Sequence, residues 1–478
     1  MSLEAVLRTI DERADEHVAA LQRVVRQPSI SSQNIGVREC AELLVSMMTE
    51  LGIDARVMET AGRPVVFGEI RSTRADAPTL VIYNHYDVQP PEPLEEWEYP
   101  PFEAQIHDGI MYGRGTTDAK GNLLCHLMAI DAFQRAGVEL PCHIKLLFDG
   151  EEESGSPSLP AFVDANTELL AADAALSFDG GFAAGNKPRI NFGSSGLYSV
   201  EIRVQGAEKD LHSARARLVQ NPAWRLIWAL SELKGPDGRI NLPGFYDKIR
   251  PVGTAERKML EADSWDDEAQ KQDLGVTEFT GGVSGVAAHE QLLFTPTCNI
   301  NGFATGWMGE GSKTVLPSRA ACRLDFRLVA DQNPADVDDM LRRFLDEHGC
   351  EDFEMVGRRG GIEPSRTALD TPFADVIVAA AREVYEREPA VQPTGDASGR
   401  QGVWLGGKLG GIPAAGTGVG PPAWRGHAAN EFMTLEHYRD GIKYAATIWQ
   451  RWAESGPHPA TQRVPGPSPN AGRGGAND

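Results

Sequence analysis

The sequence has few basic residues, few cysteines and no long apolar run, and each shortage narrows what the protein can be. Its 46 lysines and arginines are outnumbered by 68 aspartates and glutamates, which gives a net charge of −22. A chain this acidic lacks the basic footprint of a nucleic-acid-binding protein, so we expect no nucleic-acid partner. No apolar run approaches the ~18 residues that a membrane helix needs, so we expect no membrane span.

The six cysteines are scattered along the chain and form no CxxC pair. Most lie within apolar runs, a position typical of reduced core cysteines in a cytoplasmic protein. The N-terminus, MSLEAVLRTIDERADEHVAALQRVV, has the pattern of one acidic amphipathic helix and lacks the basic and apolar regions of a signal peptide. We therefore predict a cytoplasmic location.

A chain of 478 residues is too long for one ordinary core, so two domains are expected. In the first part, strand patterns (TLVIYNH, CHIKLLFDG and DAALSFDGG) alternate with a helical pattern, GNLLCHLMAIDAFQRAG. This alternation predicts an α/β fold with a mostly parallel sheet and helices on its faces. Ligands of such sheets bind beside the carboxyl ends of the strands.

The pattern changes near Gly193. YSVEIRVQG and RAACRLDFRLVA alternate apolar and charged residues, as half-exposed antiparallel strands do, and two helical patterns accompany them. We predict an α+β module at residues 194–361, inserted between two parts of a larger domain at residues 1–193 and 362–455. Residues 456–478 are rich in proline, glycine and asparagine and are predicted to form a disordered tail.

Polar residues that could hold metal ions follow the predicted strands or lie in loops beside them. They are His85, Asp87, Asp118, Glu151, Glu152, Glu153, Asp179 and His427. Alone, Asp118 could be a helix N-cap, the glutamates a solvated loop and His427 an ordinary loop histidine. Together they form the ligand set of zinc or another first-row divalent ion. More than four such ligands, including a bridging carboxylate, could hold two ions ~3.5–4 Å apart.

The stretch from Tyr83 to Gly121, YNHYDVQPPEPLEEWEYPPFEAQIHDGIMYGRGTTDAKG, resembles the signature of a family of di-zinc metallopeptidases. This is the carnosine dipeptidase, carboxypeptidase G and aminoacylase family, which also includes acetylornithine deacetylase and succinyl-diaminopimelate desuccinylase. EESGS, DLHS, GEGSKTVLPSRAACRLDFRLVADQNP and GHAANEF follow in the family's order, and the resemblance extends to about Trp452. It implies a phosphorylase/hydrolase-like catalytic domain with an inserted α+β lid and dimerisation domain.

The resemblance implies a role for each candidate ligand. His85 and Asp179 match the ligands of one ion, Glu153 and His427 match those of the other, and Asp118 matches the bridging aspartate. The ions implied are two divalent cations in each subunit, Zn²⁺ in most of the family, with Mn²⁺ and Co²⁺ accepted by the same ligands. The family also has a cis peptide bond after the bridging aspartate, which corresponds here to Asp118–Ala119.

The family resemblance implies different roles for the three glutamates. Glu152 matches the general base, which takes a proton from the attacking water and passes it to the leaving nitrogen. Glu151 is then a spare residue, either solvated or shaping the loop. Asp87 matches the aspartate that orients His85, as metal-bound histidines commonly require.

Three residues of the inserted module match the family's substrate contacts. His212 matches a histidine that reaches into the partner subunit's site in a homodimer and stabilises the oxyanion; otherwise it is a turn histidine. Arg327 matches the arginine that binds a substrate carboxylate, although a plain strand arginine would look the same. Thr314 matches a lid threonine near the substrate.

The substrate loops depart from the carnosine dipeptidase pattern. HSARARLVQNP replaces HSG followed by glycines, and GKLGGIPAAGTGVGPP lacks the serine of GGSIP. PTGDASGR looks more like the acetylornithine deacetylase branch, and a lid histidine expected near Asp370 is absent.

We predict a di-metal dipeptidase or carboxypeptidase-like hydrolase acting beside a free carboxylate. An N-acyl-amino-acid deacylase is the alternative, and a non-catalytic metal-binding protein is a remote one.

Overall fold

The computed structural model describes residues 2–262, 265–357, 361–395 and 401–456. From residue 457 onward, the predicted disordered tail lies outside the described residues. No helix in the described ranges is long and apolar enough to cross a bilayer. All six cysteines are free and buried, as their apolar surroundings predicted; the cytoplasmic location stays a prediction.

A mixed sheet is the centre of the larger body. Among the described residues it has eight strands, in the spatial order Asp54–Met58, Val65–Ile70, His143–Asp149, Thr79–His85, Ala174–Phe178, Ala414–Thr417, Arg189–Asn191 and Ala390–Gln392. The four middle strands run parallel to one another, and antiparallel pairs occur toward both edges. The three strands predicted in the first part are three of these four. The predicted α/β class with a mostly parallel centre is confirmed.

Helices cover both faces of this sheet. They span Leu3–Glu12, Ala14–Val25, Val37–Glu50, Lys120–Arg135, Leu159–Ala165, Thr167–Leu170, Pro372–Tyr385, Gln401–Lys408 and Leu435–Glu454. Successive strand residues point to opposite faces, so Leu80 and Ile82 enter one core while Val81 and Tyr83 enter the other. The middle strands are therefore apolar throughout, and polar side chains are displaced to their ends.

The N-terminal helix predicted as one element is two helices, so that prediction was wrong in detail. The first ends at Glu12 and the second begins at Ala14, with Arg13 at φ −107° between them. Arg13 Nε donates to Asp131 Oδ2 at 3.2 Å, a contact with the helix Lys120–Arg135. Periodicity does not reveal this break because both segments bury an apolar face against the same core.

The inserted residues form a second body with its own antiparallel sheet. Its strands are Gly196–Gln205, Thr297–Thr305, Arg319–Leu328, Glu354–Val356 and Gly361–Ile362. The helices Pro222–Leu233 and Pro334–Glu347 pack on this sheet over a separate hydrophobic core that includes Tyr198, Leu324 and Phe326. Three further helices, which the sequence patterns did not predict, span Thr254–Ala262, Asp267–Leu274 and Val286–Phe294.

Two short antiparallel ladders pair loop segments. Leu211–His212 pairs with Val315–Leu316, and Gly193–Ser194 pairs with Ser365–Arg366 immediately before and after the inserted sheet. A small sheet of the larger body consists of the strands Gln105–His107, Ile110–Tyr112 and Phe432–Thr434. Its last strand follows the loop of His427, the last candidate ligand in the chain, and so anchors the end of that loop.

Candidate metal centre

Strand ends bring histidine and acidic side chains to one edge of the central sheet. His85 is the last residue of one middle strand, and Asp179 directly follows its neighbour Ala174–Phe178. The glutamate triplet follows His143–Asp149 and runs into the short 3₁₀ turn Glu152–Ser154. Because the three strands are parallel neighbours, their carboxyl ends lie at the same edge.

The first ligand group consists of His85, Asp118 and Asp179. One ligand atom from each residue lies within 4.8 Å of the other two. His85 Nε2 is 3.0 Å from Asp118 Oδ1 and 3.7 Å from Asp179 Oδ1. The group therefore offers one imidazole nitrogen and two carboxylate oxygens, a donor set that suits Zn²⁺ and related ions.

The second ligand group consists of Asp118, Glu153 and His427. His427 Nε2 lies 3.3 Å from Asp118 Oδ2 and 3.2 Å from Glu153 Oε2. Gln89 Nε2 donates to Glu153 Oε2 at 3.0 Å, which fixes the orientation of this carboxylate. The second group thus repeats the donor chemistry of the first.

Asp118 belongs to both groups through different oxygens. Its Oδ1 faces His85 and its Oδ2 faces His427, which is the arrangement of a carboxylate that bridges two ions. The following helix begins at Lys120 and has Ala119 at its N-cap position, so Asp118 is not the helix N-cap that the sequence also allowed. The cis peptide bond expected at Asp118–Ala119 is present.

His85 gives a direct test of whether these residues fit a cation. Its Nδ1 lies 3.1 Å from the main-chain oxygen of Asp87, which only accepts, so Nδ1 carries a proton. Its Nε2 is buried and makes no hydrogen bond with any described residue, although two carboxylates lie beside it. A ring nitrogen and two carboxylates this close repel one another unless a cation or a proton lies among them. The residues therefore fit divalent ions.

In the metal-free protein, protons take the place of those cations. Burial lowers the pKa of His85, but contacts with Asp118, Asp179 and Asp87 outweigh burial and raise that pKa well above its ordinary value. Contacts with Asp118 and Glu153 raise the pKa of His427 to about 10. Both shifts have one cause, the concentration of carboxylates at this edge of the sheet.

The carboxyl groups of the centre shift in opposite directions. Burial raises the pKa of Asp118, but the contacts with His427 and His85 outweigh it and hold that pKa far below its usual range. Burial raises the pKa of Glu152 well above its ordinary value; His85 opposes this, and the neighbouring carboxylates, chiefly Asp179, add to it.

Asp87 is fully buried and joins two parts of the centre. Its Oδ1 lies 3.4 Å from His85 Nδ1. The same carboxylate accepts the main-chain N–H groups of Glu152 and Glu153, each at 3.1 Å. Asp87 therefore orients both the histidine and the glutamate turn, which is more than the resemblance implied.

The three glutamates have three different environments. Glu153 belongs to the second ligand group, whereas Glu152 belongs to neither group among the described residues. Glu151 is buried, and its carboxylate accepts the main-chain N–H groups of Arg63 at 3.0 Å and Ser158 at 3.2 Å. The expectation that Glu151 is solvated was therefore wrong, and the alternative that it shapes the loop is correct.

The loop that carries His427 depends on unusual backbone conformations. Ala423, Arg425 and His427 have φ values of +57°, +62° and +60°, which residues other than glycine seldom adopt. Earlier in the loop, a Cβ atom on Gly418 would lie 2.4 Å from the main-chain oxygen of Gly180, so only glycine allows this close approach. The loop thereby brings His427 back to Asp118 beside the end of the Asp179 strand.

Two buried polar residues near the centre received no role from the sequence. Asn122 donates to the main-chain oxygens of Thr117 and Gly180 and accepts the N–H of Val419, so it joins three loops of the centre. Glu431 accepts hydrogen bonds from the loop that ends at Asp118. Their only signal was polarity, of Asn122 within an apolar helix and of Glu431 in the quoted GHAANEF stretch.

Of the candidate substrate residues of the inserted body, His212 belongs to neither ligand group among the described residues. His212 Nδ1 accepts the N–H of Ala214, which is the geometry of a turn histidine. Thr314 lies beside it, because its main-chain oxygen accepts the N–H of Ser213 at 3.3 Å. Arg327 lies in a central strand of the inserted sheet and is partly buried. Their functional roles stay predictions.

Comparisons with known proteins agree with this geometry. A family model described as Peptidase family M20/M25/M40 matches residues 81–451, a range that contains all five ligand candidates. A Cys-Gly metallodipeptidase of Schizosaccharomyces pombe is 29% identical over 376 residues, 75% of this chain and 78% of that protein. The Beta-Ala-His dipeptidase of Homo sapiens is 27% identical over 415 residues, 81% of this chain and 80% of that protein.

Among solved structures, an M20 family metallo-carboxypeptidase from Sulfolobus solfataricus is 35% identical to this chain. It superposes with a TM-score of 0.79, covering 92% of this chain and 99% of that chain. The resemblance and the fold that it implied are thus confirmed. Because the family model spans the chain from the strand of His85 into the last helix, the chain belongs to the peptidase family M20/M25/M40.

Proposed function

We propose that the protein is a di-metal hydrolase that cleaves the peptide bond of a dipeptide with a free C-terminal carboxylate. One observation carries this proposal: two ligand groups share Asp118, while Glu152 lies next to both and belongs to neither. Such an arrangement provides two cation sites and one carboxylate that is available for proton transfer. The relatives named as dipeptidases support the substrate class.

Five residues of this chain would hold the ions. His85 and Asp179 serve one ion, Glu153 and His427 serve the other, and Asp118 serves both. Zn²⁺ is the ion that we propose, and Mn²⁺ or Co²⁺ suits the same nitrogen and oxygen donors. When bound, such ions supply Lewis-acid polarisation of the scissile carbonyl and of the attacking water.

Glu152 is the proposed general base. Its carboxylate takes a proton from the attacking water and delivers it to the leaving nitrogen. A pKa raised by burial favours the uptake of this proton. The N–H of Glu152 is held by Asp87, so the base and the oriented His85 share one anchor.

Three residues of the inserted body are the proposed substrate contacts. Arg327 binds the substrate carboxylate, since a guanidinium can donate two parallel hydrogen bonds to it. His212 stabilises the oxyanion from the partner subunit, and the neighbouring Thr314 contacts the substrate. Closure of the inserted body over the centre is required for these contacts.

We also propose that the protein is a homodimer joined through the inserted body. Thr297–Thr305 is an edge strand of the inserted sheet, and its Ile300 and Phe303 are 51% and 43% exposed. On Pro222–Leu233, Trp224 and Trp228 are 54% and 52% exposed. An unpaired edge beside exposed large apolar side chains favours pairing with a second copy. A dimer would also bring His212 to the partner's centre.

A carboxypeptidase is the second candidate. The relative at 35% identity bears that name, and both activities cleave beside a C-terminal carboxylate. The deacylase alternative rested on PTGDASGR, of which residues 396–400 lie outside the described residues. Dipeptidase and carboxypeptidase differ in the length of peptide on the amino side of the cleaved bond.

The experiment that tests this function is hydrolysis by protein reconstituted with Zn²⁺. The panel contains dipeptides, longer peptides, N-acetyl amino acids and amides that lack a carboxylate. We expect cleavage of dipeptides and loss of cleavage when the C-terminal carboxylate is amidated. Equal cleavage of amidated substrates would contradict the role of Arg327. Preference for longer peptides or for N-acetyl amino acids would instead select the carboxypeptidase or the deacylase.

A further inference from the structure

Glu431 is fully buried, yet it belongs to neither ligand group. It lies four residues after His427 and directly before the strand Phe432–Thr434. A buried carboxylate is unfavourable unless hydrogen-bond donors compensate for the lost water. The donors around Glu431 therefore indicate what this charge holds in place.

Four donors converge on the Glu431 carboxylate, and all come from one loop. Oε2 accepts from Arg114 Nη1 at 2.7 Å and from the N–H of Gly115 at 3.1 Å. Oε1 accepts the N–H groups of Thr117 and Asp118, both at 3.0 Å. The N–H group of Asp118, the proposed bridging residue, is therefore held directly by Glu431.

The same contacts tie this loop to the loop of His427. Arg114 Nη2 donates to the main-chain oxygen of Ala428 at 3.2 Å, one residue after the histidine. The N–H of Gly113 donates to the main-chain oxygen of Glu431 at 3.0 Å. Through Arg114 and Glu431, the segments that carry Asp118 and His427 become one hydrogen-bonded unit.

This hydrogen-bonded unit sets the distance between Asp118 and His427, on which the two-ion site depends. Asp118 contacts His85 through one oxygen and His427 through the other, at 3.0 Å and 3.3 Å. Productive metal geometry tolerates displacements of only about 0.5 Å. His85 is fixed by the sheet and by Asp87, whereas Asp118 and His427 both lie on loops. The loops therefore need an anchor of their own.

We propose that Glu431 is a positioning residue, which holds Asp118 and His427 at the separation that lets one carboxylate serve two ions. The proposal rests on the two-ion function proposed above. Arg114 contributes as the charged partner of Glu431, and its guanidinium is covered by the ring of Trp97 at 5.4 Å. Neither Arg114 nor Glu431 is required to touch an ion or the substrate.

The test is a titration of metal-free protein with Co²⁺, followed by visible absorption. The wild type should bind two equivalents per chain. In Glu431→Gln the amide nitrogen must face one of the two donor pairs, so that pair loses its acceptor. We expect the second equivalent to bind about 10–100-fold more weakly, while the first keeps an affinity close to the wild-type value. At saturating Co²⁺, kcat should recover toward the wild-type value.

Two other variants separate positioning from general stability. Glu431→Asp keeps the charge with a shorter reach and should weaken the second equivalent less. Asp131→Asn is the matched control, because Asp131 is a largely buried carboxylate paired with Arg13. It lies about 20 Å along the helix axis from Asp118. Asp131→Asn should lower Tm and bind both equivalents as the wild type does.

The possible outcomes distinguish the positioning role of Glu431 from the two-ion function on which it rests. Wild-type affinity for both equivalents in Glu431→Gln would overturn the positioning role. Loss of both equivalents in proportion to the unfolded fraction would also overturn it, since that is the result of a purely structural residue. If Glu431→Gln does not fold, Glu431→Asp is judged by the same two criteria. A wild type that binds a single equivalent would instead refute the two-ion function itself.

Discussion

The two ligand histidines differ in almost everything except the role that we assign to them. His85 ends a central strand, is 1% exposed, and has Asp87 behind its ring. His427 lies on a loop with positive φ, its side chain is 57% exposed, and its Nε2 faces only the carboxylates of Asp118 and Glu153 among the described residues. One half of the site is built by the sheet and the other half by loops.

This difference indicates how the fold supports a site that must also admit substrate. Parallel strands that end side by side place His85, Asp179 and the glutamate turn with little freedom. His427 is reached only after a long glycine-rich loop, so it requires a separate anchor, which we assign to Glu431. The exposed half is the half that solvent and substrate can reach.

The largest effect is expected from Glu152, the proposed general base, which lies beside both halves of the site. Glu152→Gln should reduce kcat by about 10²–10⁴-fold, because an amide cannot take the water's proton. Binding of two Co²⁺ equivalents should persist, since Glu152 belongs to neither ligand group. Steady-state kinetics and the Co²⁺ titration measure both. Near-normal turnover would assign the base elsewhere, and loss of an equivalent would make Glu152 a ligand.

The same variant allows a test of the proposal that His212 acts across a dimer. Glu152→Gln and His212→Ala should each be inactive alone. After mixing and subunit exchange, about a quarter of wild-type turnover should return, because half of the dimers are mixed and one of their two sites is complete. No recovery despite exchange would place the action of His212 within its own subunit or remove it.

A smaller effect should separate the two histidines by stability. In chelated protein, His85→Ala should lower the free energy of unfolding by about 1–3 kcal/mol, because it leaves a buried cavity beside carboxylates. His427→Ala should lower it by less than His85→Ala does, since the His427 side chain is 57% exposed and water screens its contacts with Asp118 and Glu153. Both variants should weaken Co²⁺ binding. Equal losses of stability for the two variants in thermal melts would contradict the difference between the sheet-built and the loop-built half of the site.

The smallest effect concerns a third histidine, which shows burial without carboxylate contact. His126 is fully buried between Phe178 and Trp449, and neither ring nitrogen has a hydrogen-bond partner among the described residues. Burial lowers the pKa of His126 to about 3. The unfolded chain binds a proton near pH 6.5, so this contribution to stability is present above that pH and is lost as pH falls toward 3.

The prediction for His126 is a difference between two melting series. Between pH 7 and about 4, Tm of metal-free wild type should fall more steeply than Tm of His126→Phe, since the variant has no proton to exclude. Titrating carboxylates contribute equally to both series and cancel in the comparison. Parallel slopes would mean that His126 is protonated in the folded protein.

Much of the larger body could be predicted from local patterns. TLVIYNH, CHIKLLF and DAALSF are short and apolar because the middle strands are buried on both faces. By contrast, Thr254–Ala262 and Val286–Phe294 bury only a few residues against each other, chiefly Leu260, Leu293 and Phe294. So small a core leaves no clear periodicity, and those helices received no prediction.

The site was predictable in its residues and less so in their surroundings. Polar residues at the ends of apolar strands, together with the family motifs, indicated His85, Asp118, Asp179, Glu153 and His427 before any contact was known. For Glu151 the sequence left two alternatives open, solvation or a role in shaping the loop, and the structure supports the second. Glu151 is buried because the chain at Gly62 passes over it: a Cβ on Gly62 would lie 1.8 Å from Glu151 Oε1.

The sequence by itself determined the short apolar strands of the parallel centre and the chemical set of candidate ligands. Those properties depend on residue type and short spacing, which a linear pattern carries. Only the tertiary structure decided that one oxygen of Asp118 faces His85 and the other His427, and that Glu431 ties their loops together. Residues 118 and 431 are far apart in sequence, and only folding brings them within hydrogen-bond distance.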